Sequence, residues 1–477
     1  MTGMRNRLIV AAFVLFSGST VYRLLTGAED AWTVVNRGAD PNRVTLKVWA
    51  GNASPIDRWR TEAAVVAARE LNARLELEGK DVRVSVEAVN DPASWGNYKK
   101  KFLMAADSHL APDIICTGHE DIASWASAGL IVPIANSVEA VRALDPAFAD
   151  VRDDLWESTL FRGKVWGVPQ DSEARVLFFS KPLLAKMGWT PARMQTLERR
   201  IHDGSFTIDD MIRLAQKAVE SGVIPRGRGY WPRPTRGSDH LQKYYAFGGR
   251  LDDRETGRLV ADEEALTRWL VFQRRIVDAG ITPENYPGTE WGIWHDTVAR
   301  GEVLFWEGGI WNWSLWADKY IADLGGRATL ERTVGYALPP AGTPGASPAT
   351  LVHPLVYLVP KPKASGQIQQ ALAVRLLALM TTPEINTWHA LESSHLAILK
   401  SQLDYAPYRK NAFLYSISKM GGRSFFQPNH VRFSQWFDIV MGSMEEAQSG
   451  RRTPGEAAAD AIALMRIDVG EDNLVIR

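Results

Sequence analysis

Residues 301–313 place tryptophans and glycines at spacings that suit a flat ligand with hydroxyl groups. The stretch reads GEVLFWEGGIWNW, so Trp306, Trp311 and Trp313 surround the pair Gly308-Gly309. An indole can cover the apolar face of a sugar ring, and glycine lets another group approach the backbone closely. We expect a short strand at residues 303–306 that ends before the glycines, and a helix that begins near Trp311. The pattern favours a binding site over a purely structural core.

A second stretch carries charged groups at alternate positions, namely Asp171, Glu173 and Arg175. In an extended segment, residues two apart point to the same side. The two carboxylates could therefore form the acid pair of a glycoside hydrolase. They could also form a rim that hydrogen-bonds the hydroxyls of a bound sugar, with the guanidinium as a donor.

Composition excludes several classes of function. Lys+Arg and Asp+Glu are balanced at 55 each in 477 residues, so no basic surface points to nucleic acid. The single cysteine, Cys116, rules out an intramolecular disulfide and a cysteine-based metal site. The sequence contains no Gly-x-Ser-x-Gly, His-Glu-x-x-His or phosphate-loop motif. We expect no metal and no cofactor.

The N-terminus has the pattern of an export signal. Arg5 and Arg7 precede an apolar run at residues 8–16, and small residues follow it. Residues 1–26 are therefore predicted to be a signal sequence or, if they are retained, an N-terminal anchor; we favour the cleaved signal. Either way the protein is expected to be exported, to the periplasm or to the outer face of the cytoplasmic membrane.

Strands alternate with helices along the first part of the chain. This order predicts an α/β fold with parallel strands, whose ligands bind beyond the carboxyl ends of the strands. Three loops follow predicted strands: residues 51–54 with Asn52 and Ser54, residues 90–95 with Trp95, and residues 117–121 with His119, Glu120 and Asp121. Further along, the loop at residues 227–237 carries Trp231, and it also carries Arg233 and Arg236.

Several motifs, taken in order, resemble the extracellular solute-binding proteins of ABC importers, in the branch that holds the maltose-binding proteins. They are PDII at residues 112–115, GLIVP at 129–133, GKVWGVP at 163–169, FSKPLL at 179–184, the stretch at 301–313 and SGRRTPGEA at 449–457. The resemblance covers residues 43–468. It implies a periplasmic-binding-protein-like fold of two α/β lobes, with a hinge and a ligand cleft between them. Lobe one would comprise residues 43–168 and 345–383, and lobe two residues 172–338 and 384–468.

The resemblance also implies ligand-binding positions. Glu173 stands where relatives bind sugar hydroxyls, and Trp311 stands at their aromatic platform. Asn52, Ser54, His119, Glu120 and Asp121 lie in loops that supply polar groups. A helix that supplies a further aromatic ring carries Trp436 and Phe437, and either of them could be that ring. His353 stands where many relatives have glycine, and Thr117 stands where they have an aromatic residue, so the size and linkage of the sugar stay open.

These observations predict the substrate-binding component of an ABC importer. The protein would bind a mono- to trisaccharide, act as a monomer, and deliver the sugar to membrane permease subunits. One alternative on the same fold is a binder of glycerol 3-phosphate or a glycerophosphodiester, for which Arg175, Arg233 and Arg236 would suit the phosphate. The other alternative, a glycoside hydrolase, is disfavoured by the resemblance.

Overall fold

A computed structural model describes residues 42–51, 54–361, 366–420 and 423–477. The predicted signal segment, residues 1–26, and the predicted ligand residue Asn52 lie outside these ranges. Within the described ranges, no helix combines the length and the apolar character needed to cross a membrane.

Sixteen strands are present in the described residues. In chain order they are β1 Arg43–Ala50, β2 Arg83–Asn90, β3 Ile114–Gly118, β4 Ile131–Val132, β5 Leu160–Phe161, β6 Lys164–Val165, β7 Gly167–Pro169, β8 Arg175–Ser180, β9 Tyr230–Trp231, β10 Leu259–Ala261, β11 Phe305–Gly309, β12 Val334–Ala337, β13 Ala349–Leu351, β14 Leu355–Pro360, β15 Arg423–Phe425 and β16 Leu474–Ile476.

Twenty α-helices are present in the same described ranges. In chain order they are α1 Trp59–Leu77, α2 Trp95–Asp107, α3 Asp121–Ser127, α4 Val138–Arg142, α5 Pro146–Asp150, α6 Asp153–Glu157, α7 Lys181–Lys186, α8 Pro191–His202, α9 Ile208–Glu220, α10 Leu241–Ala246, α11 Glu263–Asp278, α12 Trp291–Ala299, α13 Asn312–Leu315, α14 Gly326–Thr333, α15 Gly366–Met380, α16 Pro383–Ser393, α17 Ala406–Arg409, α18 Ala412–Lys419, α19 Phe433–Ser449 and α20 Pro454–Met465.

The chain divides into two compact units. The first unit runs up to Ser172 and resumes at His353–Tyr415, and the second comprises Glu173–Val352 and Ser416–Arg477. Each unit contains its own sheet and helices, which confirms the predicted α/β class.

The first unit is built on a sheet in the order β2-β1-β3-β14-β4, with β7 also paired to β14. β1 pairs in parallel with β2 and β3, as the alternation of strands and helices predicts. β14 pairs antiparallel with β3, so the sheet is mixed. Every residue of β3 is buried, and Ile115 packs with Tyr98 and Phe102 of α2. The end of β3 at Gly118 is thereby held firmly, and it positions the residues that follow it.

The second unit is built on a sheet in the order β12-β8-β11-β9. β8 lies at its centre and pairs antiparallel with both β11 and β12. Its two faces are covered by large apolar side chains, including Leu177 on one face and Phe178 on the other. β8 begins at Arg175, so this polar side chain stands at the N-terminal end of a central strand.

Two of the predicted boundaries need correction. Residues 384–415 were expected in lobe two, but they belong to the first unit, because α16 packs against α1 and Leu396 forms a β-bridge with Ser172. Residues 345–352 were expected in lobe one, but they belong to the second unit, because β13 pairs with β15.

The predicted strand at residues 303–306 is also corrected. β11 runs from Phe305 through both glycines, and Gly308 and Gly309 pair with Val176 and Arg175 of β8. The glycines therefore do not end the strand. The predicted helix start is close to the observed one, since α13 begins at Asn312.

Candidate functional site

In the first unit, charged side chains gather where β3 ends. We call Lys99, His119, Glu120, Asp121 and His353 the Glu120 cluster. Lys99 Nζ lies 2.7 Å from Glu120 Oε1 and 2.9 Å from Asp121 Oδ2, so one ammonium bridges two carboxylates. Glu120 Oε2 pairs with His353 Nε2 at 2.7 Å, and the His119 ring is 4.9 Å from that of His353. Four of the predicted site residues are therefore brought together.

A glycine makes the Glu120 cluster possible. The Glu120 carboxylate folds back onto the end of β3, into the space that a Cβ on Gly118 would need. Any larger residue at position 118 would push the carboxylate away from Lys99 and His353. Glu120 and His353 keep about a fifth to a quarter of their side chains exposed, so the cluster can meet a solute.

The two carboxylates of the cluster have pKa values that are shifted in opposite directions. Burial, together with the like charge of Glu120, raises the pKa of Asp121 to about 6 despite the nearby Lys99. Burial also opposes ionisation of Glu120, but Lys99 and His353 outweigh it and hold the pKa of Glu120 well below its ordinary value. At neutral pH the cluster therefore offers an ionised Glu120 as an acceptor and Lys99 and His353 as donors, which is a set that suits hydroxyl groups.

Two other predicted residues of the first unit have different partners. Ser54 Oγ donates to Asp57 Oδ2 at 2.7 Å and so helps to start a 3-10 turn. Trp95 begins α2 and contacts the edge of Tyr98, at 6.0 Å between ring centroids. A sugar-binding role for either residue stays a prediction.

In the second unit, two carboxylates and two guanidiniums meet at the start of β8. We call Glu173, Arg175, Arg233, Asp239 and Trp311 the Arg175 cluster. Arg175 forms ion pairs with Glu173 and, through Nε, with Asp239 Oδ1 at 2.7 Å. Arg233 Nη1 donates to the other oxygen of Asp239, also at 2.7 Å. The four charges sum to zero within the cluster.

The charges in this cluster are held in place by one another. Burial opposes the ionisation of Asp239, but Arg175 and Arg233 outweigh it and keep its pKa far below the ordinary value. Burial likewise disfavours the charge on Arg175, yet Glu173 and Asp239 raise its pKa. A neutral solute could bind beside such a balanced group without having to displace a counter-ion.

Trp311 forms the aromatic part of the Arg175 cluster. Its indole lies across Gly309, in the space that a Cβ at that position would fill. The guanidinium carbon of Arg175 lies 4.8 Å from the ring centroid, in a cation–π contact. The indole is only half-buried. The predicted importance of the Gly308-Gly309 pair is thus explained by the room that Gly309 leaves for a ring.

Three other predicted tryptophans lie in the interior. Trp313 is fully buried against Phe178, and Trp436 is 1% exposed and donates its indole N–H to Val260 O at 3.0 Å. Trp231 is also buried, with its N–H donated to Gly227 O at 2.7 Å. The large apolar area of these rings fills the core of the second unit. A role for them in ligand binding stays a prediction.

Asp171 and Glu173 bind different partners, each within its own unit. Asp171 belongs to the first unit, where its Oδ1 accepts the backbone N–H of Leu355 at 2.9 Å, and it is 1% exposed. Glu173 pairs with Arg175 in the second unit. The alternating pattern of Asp171 and Glu173 therefore does not produce the exposed pair of carboxylates that hydrolysis of a glycoside would need.

Sequence reasoning missed Lys99 and Asp239, which organise the two clusters. Lys99 lies one helical turn after Trp95 on α2, and that spacing could have pointed to it because the loop before α2 was already a candidate. Asp239 lies in a short 3-10 turn, Ser238–His240, and nothing in its sequence context links it to Arg175.

Two groups of side chains in the described residues have donor atoms close enough to hold a metal ion: His119, Glu120 and His353, and Asp171, His389 and His395. In the first group, the Lys99 ammonium already occupies the Glu120 carboxylate. A metal ion bound by these three side chains would be repelled by the Lys99 ammonium.

Comparison with known proteins gives a family for this chain. Residues 61–387 match the family model for bacterial extracellular solute-binding proteins. An uncharacterized lipoprotein encoded in the oleD 5′ region of Streptomyces antibioticus is 26% identical over 240 residues, which are 48% of this chain and 48% of that protein. The match thus spans about half of the relative's length.

Solved structures share the fold. The GacH receptor of Streptomyces glaucescens, solved unliganded and with acarbose, has a TM-score of 0.67 at 19% identity, with 91% of this chain and 100% of that chain covered. A cyclic α-maltosyl-1,6-maltose-binding protein of Arthrobacter globiformis has a TM-score of 0.68 at 18% identity, with coverage of 90% and 99%. The maltose-bound MalE3 of T. maritima has a TM-score of 0.65 at 18% identity, with coverage of 88% and 98%.

These likenesses confirm the predicted fold class and the predicted resemblance, and the family is one of exported proteins. With more than two thirds of its length matched by the family model, the chain belongs to the bacterial extracellular solute-binding proteins.

Proposed function

We propose that this protein is the substrate-binding component of an ABC importer, and that it binds a neutral mono- to trisaccharide for delivery to a membrane permease. The observation that carries the proposal is the Arg175 cluster, in which a half-buried indole stands beside charges that cancel. An aromatic face with fixed polar groups suits a sugar ring, and the absence of net charge suits a neutral one.

The neighbours support the same class of ligand. One was solved with acarbose, one is bound to maltose, and one is a binding protein for a cyclic maltosyl-maltose. Because their identity to this chain is below 20%, we carry over the sugar class and leave the particular sugar open. In this proposal Glu173, Arg233 and Trp311 of the second unit contact the ligand. The Glu120 cluster of the first unit is a further candidate for binding hydroxyl groups.

Binding of a phosphorylated polyol is disfavoured by the partners of the arginines. Arg175 and Arg233 share Asp239, and Arg236 forms a two-pronged pair with Glu445 at 2.7 Å for both contacts. A phosphate would have to compete with these carboxylates for each guanidinium.

We also propose where the protein works. The protein would work outside the cytoplasmic membrane as a monomer, with residues 1–26 as a cleaved signal or a retained tether. It would act without chemistry on its ligand, because Asp171 is buried inside the first unit and Glu173 pairs with Arg175 in the second.

Calorimetry of the purified chain with maltose and maltotriose tests the proposal. We expect saturable binding of one sugar per chain, and chromatography of the same mixture after long incubation should recover the sugar unchanged. Formation of hydrolysis products at catalytic turnover would contradict a pure binding role.

A further inference from the structure

A buried group of Asp171, His389 and His395 lies apart from the Glu120 cluster and has no part in the proposed sugar site. All three side chains are at most 5% exposed, and all belong to the first unit. Asp171 Oδ2 lies 3.6 Å from His389 Nε2 and 3.5 Å from His395 Nε2. Among the described residues this oxygen has no hydrogen-bond partner. A buried carboxylate oxygen without one is costly.

Hydrogen bonds of Ser393 assign the tautomer of His395. Ser393 Oγ lies 2.6 Å from His389 O, a carbonyl oxygen that can only accept, so the hydroxyl proton points there. His395 Nδ1 lies 2.7 Å from the same Oγ, and with the hydroxyl proton on the carbonyl it donates its own proton to that oxygen. In the neutral ring, the lone pair then lies on Nε2, the nitrogen that faces Asp171 Oδ2.

A lone pair and a carboxylate oxygen repel each other unless a cation lies between them. Arg60 does not fill this role, because its Nη2 lies 3.7 Å from Asp171 Oδ2 but 3.0 Å from Asp57 Oδ1. One guanidinium thus serves two carboxylates, and the three groups keep a net charge of −1 inside the unit. Buried charge of this kind is normally compensated.

The spacing of the donor atoms fits a small divalent metal. A tetrahedral Zn²⁺ with ligands at about 2.0–2.1 Å would hold neighbouring donor atoms about 3.3 Å apart, close to the 3.5 and 3.6 Å observed. The Nδ1–H of His395 bound to an oxygen acceptor is also the usual outer support of a metal-bound imidazole.

We infer that Asp171 Oδ2, His389 Nε2 and His395 Nε2 form a site for a divalent transition metal of the Zn²⁺ type, with Ser393 orienting His395. The metal would fasten the end of α16 and the segment after it to residue 171, where the chain leaves the first unit. This role is structural and independent of the proposed sugar binding.

Uptake of Co²⁺ by the untagged, chelator-treated chain tests this inference without any sugar present. We expect visible absorption bands of a low-coordinate Co²⁺ site at one ion per chain, which Zn²⁺ abolishes. His395→Gln and His389→Gln should weaken uptake at least tenfold, and Ser393→Ala should weaken it by about 10–100-fold, the range for losing an outer partner. His353→Gln removes a donor from the other candidate group and should leave uptake unchanged.

X-ray absorption on the Zn²⁺-loaded wild-type chain gives a readout that does not depend on the variants folding. It should show two imidazole ligands and oxygen ligands, with no sulfur. No uptake by the wild-type chain would overturn the inference. So would equal uptake by folded His389→Gln and His395→Gln variants, or loss of the signal in His353→Gln alone.

Discussion

Arg175 and Asp239 form a buried ion pair, with Arg175 Nε donating to Asp239 Oδ1 at 2.7 Å. They come from β8 and from a turn 64 residues later, and together with Glu173 and Arg233 they leave no net charge beside Trp311. This balance is the reason to expect a neutral ligand in an extracellular solute-binding protein whose arginines could otherwise hold a phosphate.

Trp311→Ala is expected to weaken sugar binding by about 1 to 3 kcal/mol, on the scale of a lost aromatic contact in an interface. The unfolding free energy should change little, because the indole is half-buried. Calorimetry and urea unfolding measure the two effects. Trp313→Ala is the matched control, since that ring is fully buried and its loss should cost about 3–5 kcal/mol of stability. Unchanged affinity in Trp311→Ala would remove this residue from the site.

Glu173→Gln keeps the shape of the side chain and removes one negative charge. The Arg175 cluster would then carry a net charge of +1. We expect sugar binding to weaken by about 1 to 2 kcal/mol, since hydrogen bonds to charged groups are worth about 1.5–3 kcal/mol. Glycerol 3-phosphate should bind no worse than before, because a nearby like charge has been removed.

Calorimetry with both ligands measures the two responses. Glu392→Gln is the control for a lost partner of an arginine, because Glu392 pairs with Arg58 in the first unit, and it should change neither affinity. Tighter sugar binding by Glu173→Gln would contradict the assigned ligand class.

Asp121 should make stability fall as pH rises from about 4 to 6. Its pKa is raised from the ordinary 3.8 to about 6 in the folded chain. Between these values the folded state binds the proton that the unfolded state has lost, so unfolding becomes easier with increasing pH. Asp121→Asn removes this contribution. The stability of the variant relative to the wild type should therefore be greater at pH 7 than at pH 4.

Urea unfolding of the wild type and of Asp121→Asn at pH 4 and pH 7 measures how the difference in stability between them changes with pH. Asp318→Asn, at an exposed position, controls for the general effect of removing a carboxylate. A difference between wild type and Asp121→Asn that is the same at both pH values would show that Asp121 is not protonated in the folded chain at pH 4–6.

Lys243 and Glu307 form an ion pair inside the second unit, with side chains only 2% and 4% exposed. Lys243→Met should cost about 3–5 kcal/mol of stability, because it leaves a buried carboxylate without a partner. The double variant Lys243→Met/Glu307→Leu should recover most of that loss, since replacing a whole buried pair by apolar groups is often neutral. Denaturant unfolding of the wild type, both single variants and the double variant completes a double-mutant cycle, which measures the coupling energy of the pair. Additive losses would mean that the two side chains do not act as a pair.

Much of the fold could be predicted because local patterns agree with it. The alternation of strands and helices before residue 130 gives the parallel pairing of β1, β2 and β3. The antiparallel addition of β14 could not be read locally, because its partner β3 lies more than 200 residues earlier in the chain. The same limit explains why residues 384–415 were placed in the wrong unit: helical periodicity does not reveal which surface a helix covers.

The candidate site was predictable where one segment carries several groups. His119, Glu120 and Asp121 follow a buried strand directly, and Trp311 follows a pair of glycines. Residue type alone could not distinguish Trp311 from Trp313. The two positions are only two residues apart in a tight turn, yet the first ring is half-buried and the second is fully buried. Partners that arrive from distant elements, such as Asp239 and His389, leave no signal in the sequence around them.

The central claim is that this solute-binding protein takes a neutral sugar, and a thermal-shift comparison between neutral saccharides and phosphorylated polyols tests it most directly. A ligand at 100 times its Kd adds about 2.7 kcal/mol to stability, which is ample to detect. We predict that at least one neutral mono- to trisaccharide raises the Tm and that glycerol 3-phosphate does not. A rise with glycerol 3-phosphate or a glycerophosphodiester alone would contradict the account.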